Sequence, residues 1–391
     1  MKETFSPTYI NSVRSPSHDV GLAPFDYQPL GRVIVEAGGM NRLGELARSL
    51  GGLRVLMVTD PGLEHVGHPQ RAVASLREAG LYVTTFDGVK ENPTDVEVQN
   101  GVERARQHAI DLIVAVGGGS SMDCAKGINF LLTNGGKMAD YKGHGRAMKP
   151  MLPSIGVPTT SGTGSEAQSY ALITDASSHM KMACGDKKAA FRISILDPEV
   201  TLSQPRSVTA VTGIDAIAHA IESYVSTKAN PISRAHSLAA WRELEPNFEI
   251  VLSQPNHLLA RAAMQIGSHF AGMAIEGAML GVCHSCANPL TAHYGITHGT
   301  AIGLMLPHVI RFNAVVAEAR YAEIYGGSEP LAERVSAFVR AAGLATSLKG
   351  CGVSESILPL LAEEANQQWT ARFNPRPVTE TDILSIYRAA W

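Results

Sequence analysis

Residues 111–126, DLIVAVGGGSSMDCAK, decide how the rest of the chain is read. The run 112–116 is apolar at every position, as in a central strand covered on both faces. It passes directly into Gly117-Gly118-Gly119-Ser120-Ser121-Met122-Asp123 and then into an apolar-periodic helix. Three glycines let the backbone come close to a phosphate, and the helix start offers free N–H groups and the positive end of its dipole. Ser120 and Ser121 can cap that helix or donate to phosphate oxygens. The pattern is neither GxGxxG nor a P-loop, which would end in Lys-Ser/Thr. A plain tight turn is the competing reading. Asp123 stands in the first helical turn, where a carboxylate also favours the dipole.

Outward from this stretch, residues 32 to about 197 alternate. Short β-branched runs at 32–35, 54–58, 81–86, 112–116, 154–157 and 193–196 are separated by helix-like stretches at 41–50, 70–79, 95–108 and 120–132. Strand and helix in alternation predict an α/β domain with a mostly parallel sheet. From residue 207 no convincing strand remains. Apolar-periodic segments at 207–227, 232–251, 257–280, 284–294, 299–317, 328–343, 354–367 and 379–389 predict an all-helical domain, punctuated by Pro231, Pro255, Gly295 and Gly326-Gly327. The expected division is an N-terminal arm (1–28), a dinucleotide-binding α/β domain (29–200) and a helical domain (201–391).

Two further features of the first half point to a nucleotide. Residues 158–166, PTTSGTGSE, follow the strand at 154–157 and offer hydroxyls and backbone N–H groups at a strand's carboxyl end, where ligands of open parallel sheets bind. The strand at 54–58 ends in Thr59-Asp60. An acid there can accept hydrogen bonds from ribose hydroxyls and repel a 2′-phosphate. It precedes the glycine loop, whereas the Rossmann fingerprint places it after, so the topology is related to that fold without being identical.

The helical half holds potential metal ligands. Asp215 and His219 are four apart in GIDAIAHAIE (213–222) and share a helix face among apolar neighbours. His284, His293 and His298, with Cys283, Cys286 and Asn288, crowd GVCHSCANPLTAHYGITHG (281–299). On one unbroken helix His284 and His298 would lie roughly 21 Å apart. Gly295 permits a break, with a turn through Ile296-Thr297 and His298 opening the next element. One Asp and three His from separate helices suit Fe²⁺ or Zn²⁺. The competing readings are an Asp–His hydrogen bond inside a bundle and a Cys-x-x-Cys zinc site. The second lacks another close cysteine pair.

Composition narrows the classes. At 391 residues two domains are expected. Hydrophobic residues at 45%, charged residues at 18% and a net charge of -3 show no bias toward nucleic acid or anionic membrane. Five cysteines make a disulfide framework a poor expectation. No run approaches eighteen apolar residues, and residues 1–21 contain no apolar signal core. The expectation is a cytoplasmic protein.

With these residues in view, the chain from about Pro29 to Trp391 resembles the iron-dependent (group III) alcohol dehydrogenase family. The marks are GGGSSMDCAK (117–126), PTTSGTGSE (158–166), DPEVTLSQP (197–205), GIDAIAHAIE (213–222) and the His284-to-His298 spacing. The resemblance implies an active site between an NAD(P)-binding domain and a helical domain. It implies metal ligands Asp215, His219, His284 and His298. Gly118, Gly119 and Ser120 would hold the pyrophosphate; Thr159, Thr160, Thr163, Lys181 and Asp123 would complete the cofactor site. Asp60 matches an acid favouring NAD over NADP. It further implies reversible hydride transfer between a small alcohol or aldehyde and nicotinamide, the metal polarising the substrate oxygen, in a dimer or larger homo-oligomer. One departure stands out: the family commonly has a second histidine four residues after the first, and here that position is Asn288, which cannot carry a proton near neutral pH. His293 then becomes a candidate proton route. The alternatives are a hydroxyacid–oxoacid transhydrogenase, a maleylacetate reductase, a metal- and NAD-using lyase of the dehydroquinate-synthase kind, and a non-catalytic binding protein.

Overall fold

The computed structural model describes residues 25–178 and 180–391, so most of the expected arm lies outside it. Among the described residues the first half holds nine strands: β1 (Arg32–Val35), β2 (Arg54–Val58), β3 (Tyr82–Phe86), β4 (Leu112–Gly117), β5 (Gly143–His144), β6 (Ser154–Pro158), β7 (Tyr170–Thr174), β8 (Lys181–Gly185) and β9 (Ile193–Leu196). Six of them form a wholly parallel sheet in the order β1-β9-β6-β4-β2-β3. Four helices cover it: α1 (Leu43–Ser49), α2 (His68–Glu78), α3 (Asp95–Gln107) and α4 (Gly119–Asn134).

Strand periodicity divides the core between the two faces. Val55, Met57, Leu112, Val114 and Val116 pack with Leu43, Leu46, Ala72 and Leu76 of α1 and α2. Their neighbours Leu56, Val58, Ile113 and Ala115 point the other way, against Val98, Val102 and Ile128 of α3 and α4. Every residue of β4 is buried, which is why it reads as a continuous apolar run.

A second small sheet, β5-β8-β7, does not appear in the sequence reading. β8, Lys-Met-Ala-Cys-Gly, contains no β-branched residue and is marked as a strand only by its pairing, antiparallel with β7 and parallel with β5.

After β9, among the described residues, only helices follow: α5 (Arg206–Val225), α6 (Pro231–Ser253), α7 (Leu258–Ala278), α8 (Val282–Tyr294), α9 (His298–Tyr325), α10 (Ser328–Ala342), α11 (Leu358–Gln367) and α12 (Glu380–Ala390), with short 3₁₀ turns between some of them. They share one core that includes Ile214, Ile217, Phe248, Met305, Phe338, Leu361 and Ile386. An 18-residue window of α9 has a mean hydropathy of 1.4, long and apolar enough for a membrane span by composition, and 61% of that window is buried inside the protein. It packs against α5, α8 and α10. The chain thus has an α/β half built on a parallel sheet and a helical half.

Candidate metal and nucleotide site

Three imidazoles converge on one carboxylate oxygen. His219 Nε2 and His284 Nε2 each stand 3.3 Å from Asp215 Oδ1, and His298 Nε2 stands 3.6 Å from it. Asp215 and His219 are one turn apart on α5. His284 lies in the first turn of α8, and His298 opens α9. The turn between α8 and α9 closes at Gly295, whose φ of 62° is the left-handed conformation of a helix C-cap. Gly299 lets the first turn of α9 reach α5: a Cβ there would lie 2.0 Å from the Val211 carbonyl oxygen.

These distances fit a shared cation better than hydrogen bonds. With N and O ligands about 2.0–2.1 Å from an ion, a coordination tetrahedron has edges of about 3.4 Å. Ordinary N–H···O bonds center near about 2.9 Å. The donor atoms of Asp215, His284 and His298 all lie within 4.8 Å of one another. His219 joins them through Asp215, and its ring stacks on His284 with centroids 4.9 Å apart.

Glu222, which sequence reasoning left unassigned, holds this arrangement. Its Oε2 accepts from His284 Nδ1 at 2.5 Å and its Oε1 accepts from the Cys283 backbone N–H at 2.7 Å. That hydrogen bond fixes the tautomer that leaves His284 Nε2 free to ligate. The signal was legible: Asp215, His219 and Glu222, at spacings of four and three, line one face of α5.

The electrostatics suit a cation. Burial alone would raise the Asp215 carboxyl, but His219 and the other two imidazoles hold it below the usual carboxylate range. Burial lowers His219 to about 4, so it is neutral and able to ligate. Burial also lowers His298, which keeps 31% of its side chain exposed. Burial works against charge on His284, yet its bonds to Asp215 and Glu222 raise it to about 9, so a cation bound there would displace a proton from Nε2 while Nδ1–H stays on Glu222.

The nucleotide-type loops meet at the carboxyl ends of β4 and β6. Thr159 N–H donates to the Gly117 carbonyl at 2.9 Å. A Cβ on Gly119 would stand 2.7 Å from Thr163 Cγ2, and one on Gly118 would stand 3.3 Å from Thr160 Cγ2. The glycines therefore admit the neighbouring threonine loop. Gly118 is the N-cap of α4, so the backbone N–H groups of Gly119 and Ser120 open the helix. Ser121 Oγ donates to Asp60 Oδ2 at 3.2 Å, joining the end of β2 to this loop. Lys181, solvent-accessible on β8, has its ammonium pKa lowered by the surrounding protein; Asp123, Asp215 and Glu91 oppose that shift. Its charge lowers His298, and Asp215 acts back on it, so Lys181 is electrostatically coupled to the metal cluster.

Three expected residues have different surroundings from those anticipated. Asp123 is buried, and its oxygens accept from Ser165 Oγ and, at 3.2 Å, from the Leu172 N–H, with Lys126 Nζ 3.5 Å away. It ties α4 to the threonine loop, with both carboxylate oxygens engaged by protein groups. Lys126, unassigned from sequence, donates to Ser165 O, Ser165 Oγ and Tyr170 O at 2.7–2.8 Å. His293 is bound to Glu364 of α11 at 2.8 Å on the exterior. At about 100° per residue, nine residues put it roughly opposite His284 on the helix, so it faces away from the cluster. Asn288, four residues past His284, shares that ligand's face and donates to Gln368 Oε1 at 3.2 Å. Cys283 and Cys286 are buried in the helical core, their thiols pushed up by burial.

The threonine loop is also fixed to the helical half. Gln265 Nε2 of α7 donates to the Pro158 carbonyl at 3.0 Å, and His269 Nδ1 lies 3.1 Å from Glu166 Oε1 with both side chains at most 5% exposed.

Comparison with known proteins agrees with this geometry over both halves. The family profile "Iron-containing alcohol dehydrogenase" matches residues 31–198, and "Fe-containing alcohol dehydrogenase family, C-terminal" matches residues 209–391. The 1,3-propanediol dehydrogenase of Citrobacter freundii is 34% identical over 382 residues, covering 94% of this chain and 99% of that protein. The NAD-dependent methanol dehydrogenase of Bacillus methanolicus is 33% identical, covering 91% and 97%. A crystal structure of 1,3-propanediol oxidoreductase superposes with a TM-score of 0.91 at 34% identity, covering 94% of this chain and 100% of that one. The chain belongs to the iron-containing alcohol dehydrogenase family and is an oxidoreductase acting on alcohols.

Proposed function

We propose that this enzyme interconverts a small alcohol and its aldehyde with NAD, using Fe²⁺ held by Asp215, His219, His284 and His298. The observation that carries the reading is the convergence of three Nε2 atoms on Asp215 Oδ1 at 3.3–3.6 Å. Bound there, the ion supplies Lewis acidity that eases loss of the substrate hydroxyl proton. NAD supplies the hydride acceptor, and the protein's task is alignment and exclusion of water.

The residues divide that task. Gly118, Gly119 and Ser120 present helix N–H groups to the pyrophosphate, while Thr159, Thr160, Thr163 and Lys181 close around the cofactor. Asp60 accepts from the adenosine ribose and disfavours a 2′-phosphate, which makes NADP the poorer cofactor. Asp123 positions the threonine loop through Ser165. Asn288 takes no proton; its amide faces substrate. His293 has no part. Iron rather than zinc is the metal proposed, following the family.

Residues 29–200 form the nucleotide-binding unit in this reading and 201–391 the metal-binding unit. Five free cysteines fit a reducing cytoplasm, and the proposed assembly is a homo-oligomer. An NAD-coupled screen of alcohols on protein of known iron content tests the proposal: iron-dependent NADH formation is expected, and NAD binding without net reduction on any alcohol would contradict it.

A further inference from the structure

α8 carries the ligand His284 on a stretch that helix geometry alone supports poorly. α7 and α8 meet at 107°, and the corner passes through Met279, a non-glycine residue at φ 65°. Backbone of that kind is uncommon outside glycine, and where it occurs the surroundings hold it. Gly281, at the N-cap of α8, has no side chain to offer the free N–H groups of the first turn. Further along, Pro289 lacks the N–H that would bond the Ser285 carbonyl. His284 thus sits on a short helical segment weakened at both ends.

Side chains from elsewhere in the helical half supply what that segment lacks. Val282 N–H donates to Asn374 Oδ1 at 3.5 Å, and Cys283 N–H donates to Glu222 Oε1 at 2.7 Å. Ser285 Oγ and Thr370 Oγ1 share a hydrogen bond of 2.7 Å, and Tyr387 Oη donates to the Cys286 carbonyl at 2.7 Å. Both neighbours on each side of His284 are therefore tied to another element. Asn374 is itself locked in a reciprocal amide pair with Asn313 of α9, at 2.8 and 3.0 Å, and donates to the Arg376 carbonyl at 2.9 Å. Asn313, Thr370, Asn374 and Tyr387 are at most 7% exposed, so a partner lost there is not replaced by solvent. Apart from Glu222, every anchor comes from the C-terminal segment between Thr370 and Tyr387, which carries none of the four proposed ligands.

We propose that Thr370 and Asn374 are positioning residues for the metal: by fixing the first turn of α8 they fix where His284 Nε2 points, so the C-terminal segment sets the geometry at the ion without touching it. This rests on the iron reading above. A ligand whose supports are locked beforehand is held in its productive geometry, and loosening them weakens binding. The test measures iron affinity by chelator competition and the visible spectrum of the Co²⁺-substituted protein, whose bands report coordination geometry, in wild type, Thr370→Val, Thr370→Ser and Asn374→Ala. Thr370→Val removes the hydroxyl that meets Ser285, and Asn374→Ala frees the Val282 N–H. Each is expected to weaken iron binding by about tenfold, the lower end of the range for losing a ligand's support, and to shift the Co²⁺ bands. Thr370→Ser keeps the hydroxyl and is expected to match wild type in both. If Thr370→Val does not fold, Ser285→Ala removes the same bond from the α8 side; if Asn374→Ala does not fold, Asn374→Ser reads the same contact. A lowered Tm with wild-type affinity and spectrum in either folded variant, or a loss in Thr370→Ser equal to that in Thr370→Val, overturns the inference and leaves the iron reading standing. Wild type that binds no iron overturns both.

Discussion

Glu222 accepts a 2.5 Å hydrogen bond from His284 Nδ1 while the same ring turns Nε2 toward Asp215. A single α5 carboxylate therefore sets the tautomer of a ligand on α8. Replacing Glu222 with Gln removes the charge that holds that tautomer. Iron affinity should fall by about 10–100-fold, the usual effect of losing such a partner. Chelator competition reads this directly; an unchanged affinity would show that Glu222 serves packing alone.

Gly119 has no room for a side chain against Thr163, the nearest atom being 2.7 Å from a built Cβ. Gly119→Ala should push the threonine loop away and cost about 1–3 kcal/mol of cofactor binding, the range for overpacking a tight contact. That corresponds to a rise in KM for NAD of roughly five- to 150-fold. Iron content should stay at the wild-type level, which separates the nucleotide loops from the metal cluster.

Asp60 and Ser121 are linked at 3.2 Å beside the glycine loop. Asp60→Ala should reduce discrimination against NADP by about tenfold or more, equivalent to about 1.4 kcal/mol. The check is the ratio of kcat/KM with NAD to that with NADP. An unmoved ratio would place the adenosine ribose elsewhere.

His269 and Glu166 form a buried pair that fixes the threonine loop to α7. His269→Ala leaves the Glu166 carboxylate without that partner, at a cost of about 1–3 kcal/mol. Thermal unfolding should show a lower Tm, and His269→Gln should recover part of the loss. An alanine variant with wild-type Tm would mean that the loop is held by Lys126 and Gln265 alone.

The parts visible in the sequence were those set by local periodicity. All six strands of the parallel sheet were readable as β-branched runs, and the break at Gly295 followed from that residue's conformational preference. Relationships across the fold were less visible. Glu222 was in the quoted motif, but its bond to His284 depends on how α5 and α8 cross. The small sheet was missed because β8 has no local strand signal. His293 looked like a neighbour of the cluster by sequence distance, whereas helix geometry turns it to Glu364. Asp123 looked like a cofactor residue by its motif, and the packing of Ser165 and Leu172 turned it inward.

The measurement closest to the central claim is iron content and NAD-linked alcohol oxidation in wild type and His284→Ala, each before and after chelation and readdition of Fe²⁺. One iron per chain in wild type, loss of turnover on chelation, recovery with Fe²⁺, and neither iron nor turnover in His284→Ala is the expected result. Full NAD-linked oxidation by metal-free protein, or by His284→Ala, would contradict the account.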